Sequence, residues 1–336
     1  HAMARLSIIN PTIKLLKMKK ALLYTTLGLL AFTGCNNDED PIQPTGNYSV
    51  LRFEFPQGNN PFDEEIKEIH DKYDVYLLYK DITDTDLNRQ WQSLGTGKLL
   101  TGDPVPDEYV PFYINFIKNH VFQYLSPEVV RAGLPVKIYM LENFGEVNTQ
   151  GSGTGTGTGG IGTPNTSIVT TKTDGFDYWA ISFKREGIEE NDPDAMRQAR
   201  CQFIYQMILP QYKSGKIVES QTIHDKLDFE TSFSTDVDDP DYRLNRGFPH
   251  RVTNKFQLST GTYYASQIHP SNPAYHVDYD YFLTWIRICM FMSRAEIEEM
   301  YADYPLIREI YNDVIEYMLD TYQIDLEGIY KGPDNN

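Results

Sequence analysis

The sequence predicts an α+β fold, with a small N-terminal mixed sheet and its helices followed by a mainly helical C-terminal half. Two observations predict it: strand-like apolar runs come early, and helix-like apolar stripes come late. A third, the lack of any internal repeat, argues against a solenoid. Early strands and late helices favour α+β over a doubly wound sheet.

The first element is Tyr48 to Phe55, whose alternation reads as a strand. Pro61 to Asp71 reads as a helix with Ile66 and Ile69 facing inward, and Tyr73 to Tyr79 as a second strand. Asp107 to Leu125 sets Val110, Ile114, Ile117 and Val121 at helical spacing. Val136 to Leu141 is a short buried strand. Residues 148–174 turn to Gly, Thr, Ser and Pro, too poor in apolar surface to offset ordering entropy, and read as a flexible Gly/Thr loop. They carry no Gly-Lys-Ser/Thr, so a phosphate cradle is not expected. Tyr178 to Phe183 resumes as a strand. Asp192-Pro193 opens a helix as N-cap and first residue. Its stripe is Met196, Ala199, Phe203, Ile204, Met207 and Ile208, and Pro210 is expected to close it. Residues 215–275 read as irregular. Three helices follow, over about 278–292, from the capping box Ser293-Arg-Ala-Glu296, and over about 306–322.

The N-terminus carries a separate message. From Met18 it reads Met-Lys-Lys, an apolar run Ala21 to Phe32, then Thr33-Gly34-Cys35. A positive start, a short apolar stretch and small residues before a cysteine form an export signal with a lipobox, so Cys35 is the expected lipidation site. The apolar run is shorter than the ~20 residues a spanning helix needs. The expected organisation is an upstream extension and signal peptide at 1–34, a lipidated tether at 35–47, and one domain at 48–330. The acidic Asn36 to Asp40 stretch fits either a surface-export signal or an ordinary solvated tether.

The chain has 30 basic and 47 acidic residues, a formal charge of −17. The five basic residues before Cys35 leave with the signal peptide, so the mature chain carries about −22. That balance excludes nucleic acid as a partner and opposes lying flat on anionic lipid. Cys201 and Cys289 sit in apolar helical segments and read as buried thiols rather than a bridge.

Ordered pieces through the mature chain carry a family resemblance. They include Phe62-Asp63, His70 to Val75, Tyr79-Lys80-Asp81, Leu134 to Tyr139, Asp177 to Phe183, Tyr263 to Ser266, Asp278-Tyr279 and Ile324-Asp325-Leu326. Together they resemble a family of zinc-binding metallopeptidase-like lipoproteins of gut anaerobes, found beside starch-utilisation (SusC/SusD) type nutrient importers. The resemblance implies a zincin-like helical half and a His-Glu-x-x-His helix. Two His four residues apart share a helix face and can hold one Zn²⁺, with the Glu acting as base on its water. The matching stretch here is Cys201-Gln202-Phe203-Ile204-Tyr205. A thiol and a phenol replace the imidazoles, and an amide replaces the base. The later acidic ligand corresponds to the neighbourhood of Asp278.

These substitutions predict a degenerate site with no catalytic residue, no cofactor and no metal. Two other cation sites are conceivable in the sequence: a relocated metal site at His269, His276 and Asp278, and a hard cation on Asp236 to Asp241. The latter lacks the Gly and Glu of an EF-hand loop. The expected function is a non-catalytic outer-membrane lipoprotein, exposed at the cell surface. It would be an accessory or substrate-binding subunit of a SusC/SusD-type uptake complex, holding an oligopeptide or oligosaccharide in a cleft lined by Tyr205, Tyr263 and Tyr264. The alternatives are an active zinc peptidase with noncanonical ligands and a stand-alone glycan-binding lipoprotein.

Overall fold

A computed structural model describes residues 52–88, 98–148, 166–168, 171–175, 177–183, 192–231, 233–234, 236–252, 256, 258–259 and 277–333. The signal peptide, Cys35, the tether, residues 149–165, and Tyr263, Tyr264, His269 and His276 lie outside them.

Chain order runs α1 (Pro61–Tyr73), β1 (Tyr76–Leu78), α2 (Asp84–Leu87), β2 (Lys98–Pro104), α3 (Val110–Asn115), α4 (Pro127–Gly133) and β3 (Lys137–Asn148). Then come β4 (Thr166–Ile168), β5 (Thr171–Lys172), β6 (Tyr178–Ile181), α5 (Pro193–Lys213), α6 (Gln221–His224), β7 (Arg251–Val252) and β8 (Leu258–Ser259). The last elements are α7 (Val277–Phe291), α8 (Arg294–Met300), α9 (Pro305–Tyr322) and α10 (Leu326–Lys331). The α+β class read from the sequence holds.

Strand β3 organises the sheet. Its first half, from Lys137, pairs in parallel with β1 and β6. Its second half pairs antiparallel with β2 and β4, and β5 adds to β6 at the edge. The change of partners coincides with a register shift in β2 between Thr101 and Asp103 and with Asn143 at φ 51°. Asn143 tolerates that left-handed backbone, and its amide donates to Asp103 Oδ2 at 2.9 Å. Successive residues alternate between two cores. Leu77, Ile138, Met140, Trp179 and Ile181 face the helices. Leu78, Tyr139, Leu141, Tyr178 and Ala180 face a smaller cluster with Phe53.

Besides β2 and the short elements α2, α6, β7 and β8, which the sequence reading lacks, the structure corrects it elsewhere. Residues 52–55 form no strand, because Gln57 takes over the pairing with its side chain. Gln57 Oε1 accepts from the N–H of Tyr79 at 2.6 Å, and its Nε2 donates to Lys80 O at 2.8 Å. The helical stretch from 107 changes winding: tight turns at Asp107–Tyr109 and Phe122–Tyr124 flank α3 and a wide turn at Phe116–Val121. The wide turn keeps Phe116, Ile117 and Val121 all buried. The Gly/Thr segment is shorter than 148–174, since β4 and β5 lie within it. Helix α5 runs past Pro210 to Lys213. A proline this close to the end disturbs only the last turns, and Ser214 N–H still reaches Pro210 O at 3.0 Å. Finally, α10 was not anticipated: Asp325 caps it, accepting from Gly328 N–H at 2.8 Å. A Cβ at Gly328 would stand 2.7 Å from Tyr124 Cδ1, so glycine is needed for this close docking.

Helix α5 is the axis of the helical half. It packs against α4 closely enough that a Cβ on Gly133 would meet Met207 Cβ at 2.9 Å. Its apolar stripe is buried as expected, but Arg200, Cys201, Tyr205 and Gln211 are buried with it, so the helix is enclosed on most sides. The capping box of α8 forms as read: Ser293 Oγ accepts from Glu296 N–H at 3.1 Å, and Glu296 Oε2 accepts from Ser293 N–H at 2.6 Å.

Candidate functional site

Helix α5 carries the residues on which the metal question turns. Cys201 is 0% exposed, and its thiol donates to Met290 O at 3.2 Å. Burial pushes its pKa up to about 12, only partly opposed by Arg200 and Arg197. A metal ligand or nucleophile must be a thiolate, and burial in apolar surroundings disfavours that form. Tyr205, one turn further on, is 4% exposed. Its ring meets Phe256 edge-on at 6.1 Å and lies 4.9 Å from the guanidinium carbon of Arg287. Gln202 is half-buried. Asp278 lies in the first turn of α7, where the backbone alone is described.

Zinc does not fit this donor set. Cys201 is a neutral thiol given to a carbonyl, Gln202 is a weak neutral donor, and Tyr205 is a phenol under a cation. An open catalytic zinc site requires three good ligands, usually imidazole or carboxylate. A guanidinium this close also opposes a second positive charge in a low-dielectric core. The neighbouring Arg287 is 2% exposed, with Nε donating to Leu283 O at 3.4 Å. The cation at this helix face is an arginine stacked on a phenol.

The described histidines are separately engaged. His70 lies against Phe55 and Tyr76 and 3.2 Å from Asp71 Oδ1. His224 stacks on Phe229. His250 Nδ1 lies 3.0 Å from Tyr301 Oη, and His120 Nδ1 lies 3.1 Å from Arg200 Nη1. Among the described residues no three His, Cys, Asp or Glu side chains are grouped to hold a metal ion. In the acidic stretch, Asp236 and Asp239 accept backbone N–H bonds from Asp238 at 3.1 Å and Asp241 at 2.8 Å. Those carboxylates stabilise their own turns. Cys201 and Cys289 are both free, as read, each buried on its own. Cys289 Sγ faces Tyr311 O at 3.8 Å.

Two of the buried arginines, Arg200 and Arg287, were missed in the sequence although the signal was present. Arg200 stands four residues after Met196 and three before Phe203, on the apolar stripe itself. Arg287 interrupts the apolar run from Tyr281 to Met292. A charge on a core-facing position is rarely placed there without a partner.

No protein-family model matches the chain, and no curated protein matches it. Among solved structures, a similar chain is a candidate zinc-binding metallo-peptidase from Bacteroides caccae. The two are 11% identical with a TM-score of 0.41, over 82% of this chain and 92% of that one. A likeness this low carries no argument about fold or activity.

Proposed function

We propose that this protein is a non-catalytic, zincin-like outer-membrane lipoprotein, lipidated at Cys35. It serves as an accessory or substrate-binding subunit of a SusC/SusD-type nutrient uptake complex, with an oligopeptide or oligosaccharide as its ligand. The observation that carries the non-catalytic part is the packing of Cys201 and Tyr205 into the core beside Arg287. A helix face filled with a protonated thiol and a cation-stacked phenol has no way to lower the pKa of a bound water. Anchoring rests on the ordered signal from Met18 to Cys35. The association with an importer rests on the resemblance of the sequence alone.

Two measurements test the reading. Metal analysis of the purified protein should find no stoichiometric zinc, and a chelator should change neither stability nor any peptidase activity. Affinity purification from detergent-solubilised outer membrane should recover a transporter. Stoichiometric zinc with chelator-sensitive peptide cleavage would establish the active-peptidase alternative. Purification of the chain alone, together with oligosaccharide binding, would point to a solitary glycan binder.

A further inference from the structure

A cleft of about 400 Å³ lies where the start of α5 meets His120 and the chain after α10, lined among others by Asp194, Arg197, Arg200, Tyr330 and Lys331. In a chain of net charge −17, three cations around one cleft are a local exception. Two of the three are already balanced. Arg197 Nη2 pairs with Asp194 Oδ1 at 2.9 Å, and Lys331 Nζ with Glu327 Oε1 at 3.4 Å.

Arg200 differs from both. It is 2% exposed. Its Nε donates to Ile329 O at 2.5 Å, its Nη2 to Tyr330 O at 3.1 Å, and its Nη1 lies 3.1 Å from His120 Nδ1. These contacts use three of about five N–H donors, and among the described residues none is to a carboxylate. His120 adds no countercharge: burial and Arg200 lower its pKa to about 4, leaving a neutral ring near pH 7. Removing a guanidinium from water without an opposite charge is costly. Gly332, at φ +78°, packs against the guanidinium so closely that a Cβ there would stand 3.0 Å from Nη1.

We propose that this cleft binds a small organic monocarboxylate, with the buried Arg200 as its central contact. Among the described residues Arg200 is paired with no carboxylate, whereas Arg197 and Lys331 are, and this favours an anionic ligand at Arg200. A guanidinium offers a carboxylate charge-assisted hydrogen bonds, stronger than neutral ones. Met196 and the Tyr330 ring supply apolar walls for the rest of the ligand, as small-molecule sites generally require. The site does not rest on the reading of Cys201 and Tyr205, and it holds whether or not the protein accompanies a transporter.

The test is calorimetry of the intact chain with N-acetyl-phenylalanine, its neutral amide, and inorganic phosphate. NMR of the His120 ring reports whether binding occurs in the cleft. The acid should bind saturably and shift the His120 signals, the amide should bind at least ~10-fold more weakly, and phosphate more weakly than the acid. Arg200→Gln should abolish binding. Should that variant not fold, Arg197→Gln at the rim should weaken binding about threefold, and Gly332→Ala should weaken it by crowding the guanidinium. Absence of saturable acid binding overturns the proposal. So do equal affinity for the amide, preference for phosphate, rim variants that bind like the parent, or binding that leaves His120 unmoved.

Discussion

Arg200 and Cys201 are consecutive on one helix and equally removed from water, yet they belong to different kinds of surroundings. Cys201 opens the turn that runs to Tyr205, packed against α7 with its hydrogen bond given to Met290 O. Arg200 ends the turn that begins at Met196, and its guanidinium reaches a cleft beside His120 and the chain after α10. Burial by itself therefore says little about a site. The distinguishing feature is whether a buried group's chemistry is closed by the fold. Cys201 is closed by a carbonyl and by apolar neighbours. Among the described residues Arg200 is bound by carbonyls and a neutral ring, with no carboxylate paired to it.

The strongest way to break this comparison is to introduce metal-site chemistry into the closed turn. The triple variant Cys201→His, Gln202→Glu, Tyr205→His places an imidazole where a fully buried thiol fits and removes the phenol under Arg287. Overpacking and an unsatisfied buried ring together should cost about 3–5 kcal/mol of unfolding free energy. Urea unfolding checks the stability, and metal analysis should still find no zinc. One tightly held zinc per chain at parental stability would mean that this helix face is a cradle rather than core.

Acid should act on the open side first. Burial, and then Arg200, hold His120 at about 4, and burial, and then Arg243, hold His250 at about 4, against an ordinary 6.5. Below pH 6.5 the unfolded chain binds protons that the folded chain refuses. Their contribution is therefore complete above about 6.5 and is lost as the pH falls toward 4. Both rings are partly accessible, so solvent screening trims the loss to about 1–2 kcal/mol each. Urea midpoints at pH 7 and pH 5 measure it, and His120→Gln should remove its share. Cys201, at about 12, does not titrate in this window. Hydrogen exchange at pH 5 should accordingly loosen the start of α5 and α10 before the Cys201–Tyr205 turn. Equal loosening of both would erase the distinction.

Much of this architecture was legible in the sequence, for physical reasons that also explain the failures. Helix α5 was readable because Asp192, Pro193 and a long apolar stripe agree, and α8 because Ser293 and Glu296 cap each other. The strand expected up to Phe55 failed because alternation cannot show that Gln57 will supply the hydrogen bonds instead of the backbone. Strands β4 and β5 were hidden in Gly- and Thr-rich sequence, since they form by pairing with β3 and β6 respectively rather than through their own composition. At the site, the burial of Cys201 and Tyr205 follows from their place on the apolar helix α5. The sequence did not show Arg287 over Tyr205 or Arg200 beside His120, because both contacts join segments about 80 residues apart.

The smallest expected effect tests how the closed turn is supported from below. Met290 O receives the Cys201 thiol, and Met292 O receives the Tyr311 hydroxyl at 2.8 Å. Both carbonyls belong to the junction that Ser293 fixes through its cap on α8. Ser293→Ala removes the hydroxyl acceptor for Glu296 N–H and should cost about 1 kcal/mol. Because the junction carries the carbonyl that holds Cys201, the same change should also raise the thiol's reactivity toward a maleimide probe. Cys289, whose partner Tyr311 O lies on α9, should react as before. A loss of stability without any change at Cys201 would show that the turn is held by its apolar packing alone, with the Met290 hydrogen bond incidental.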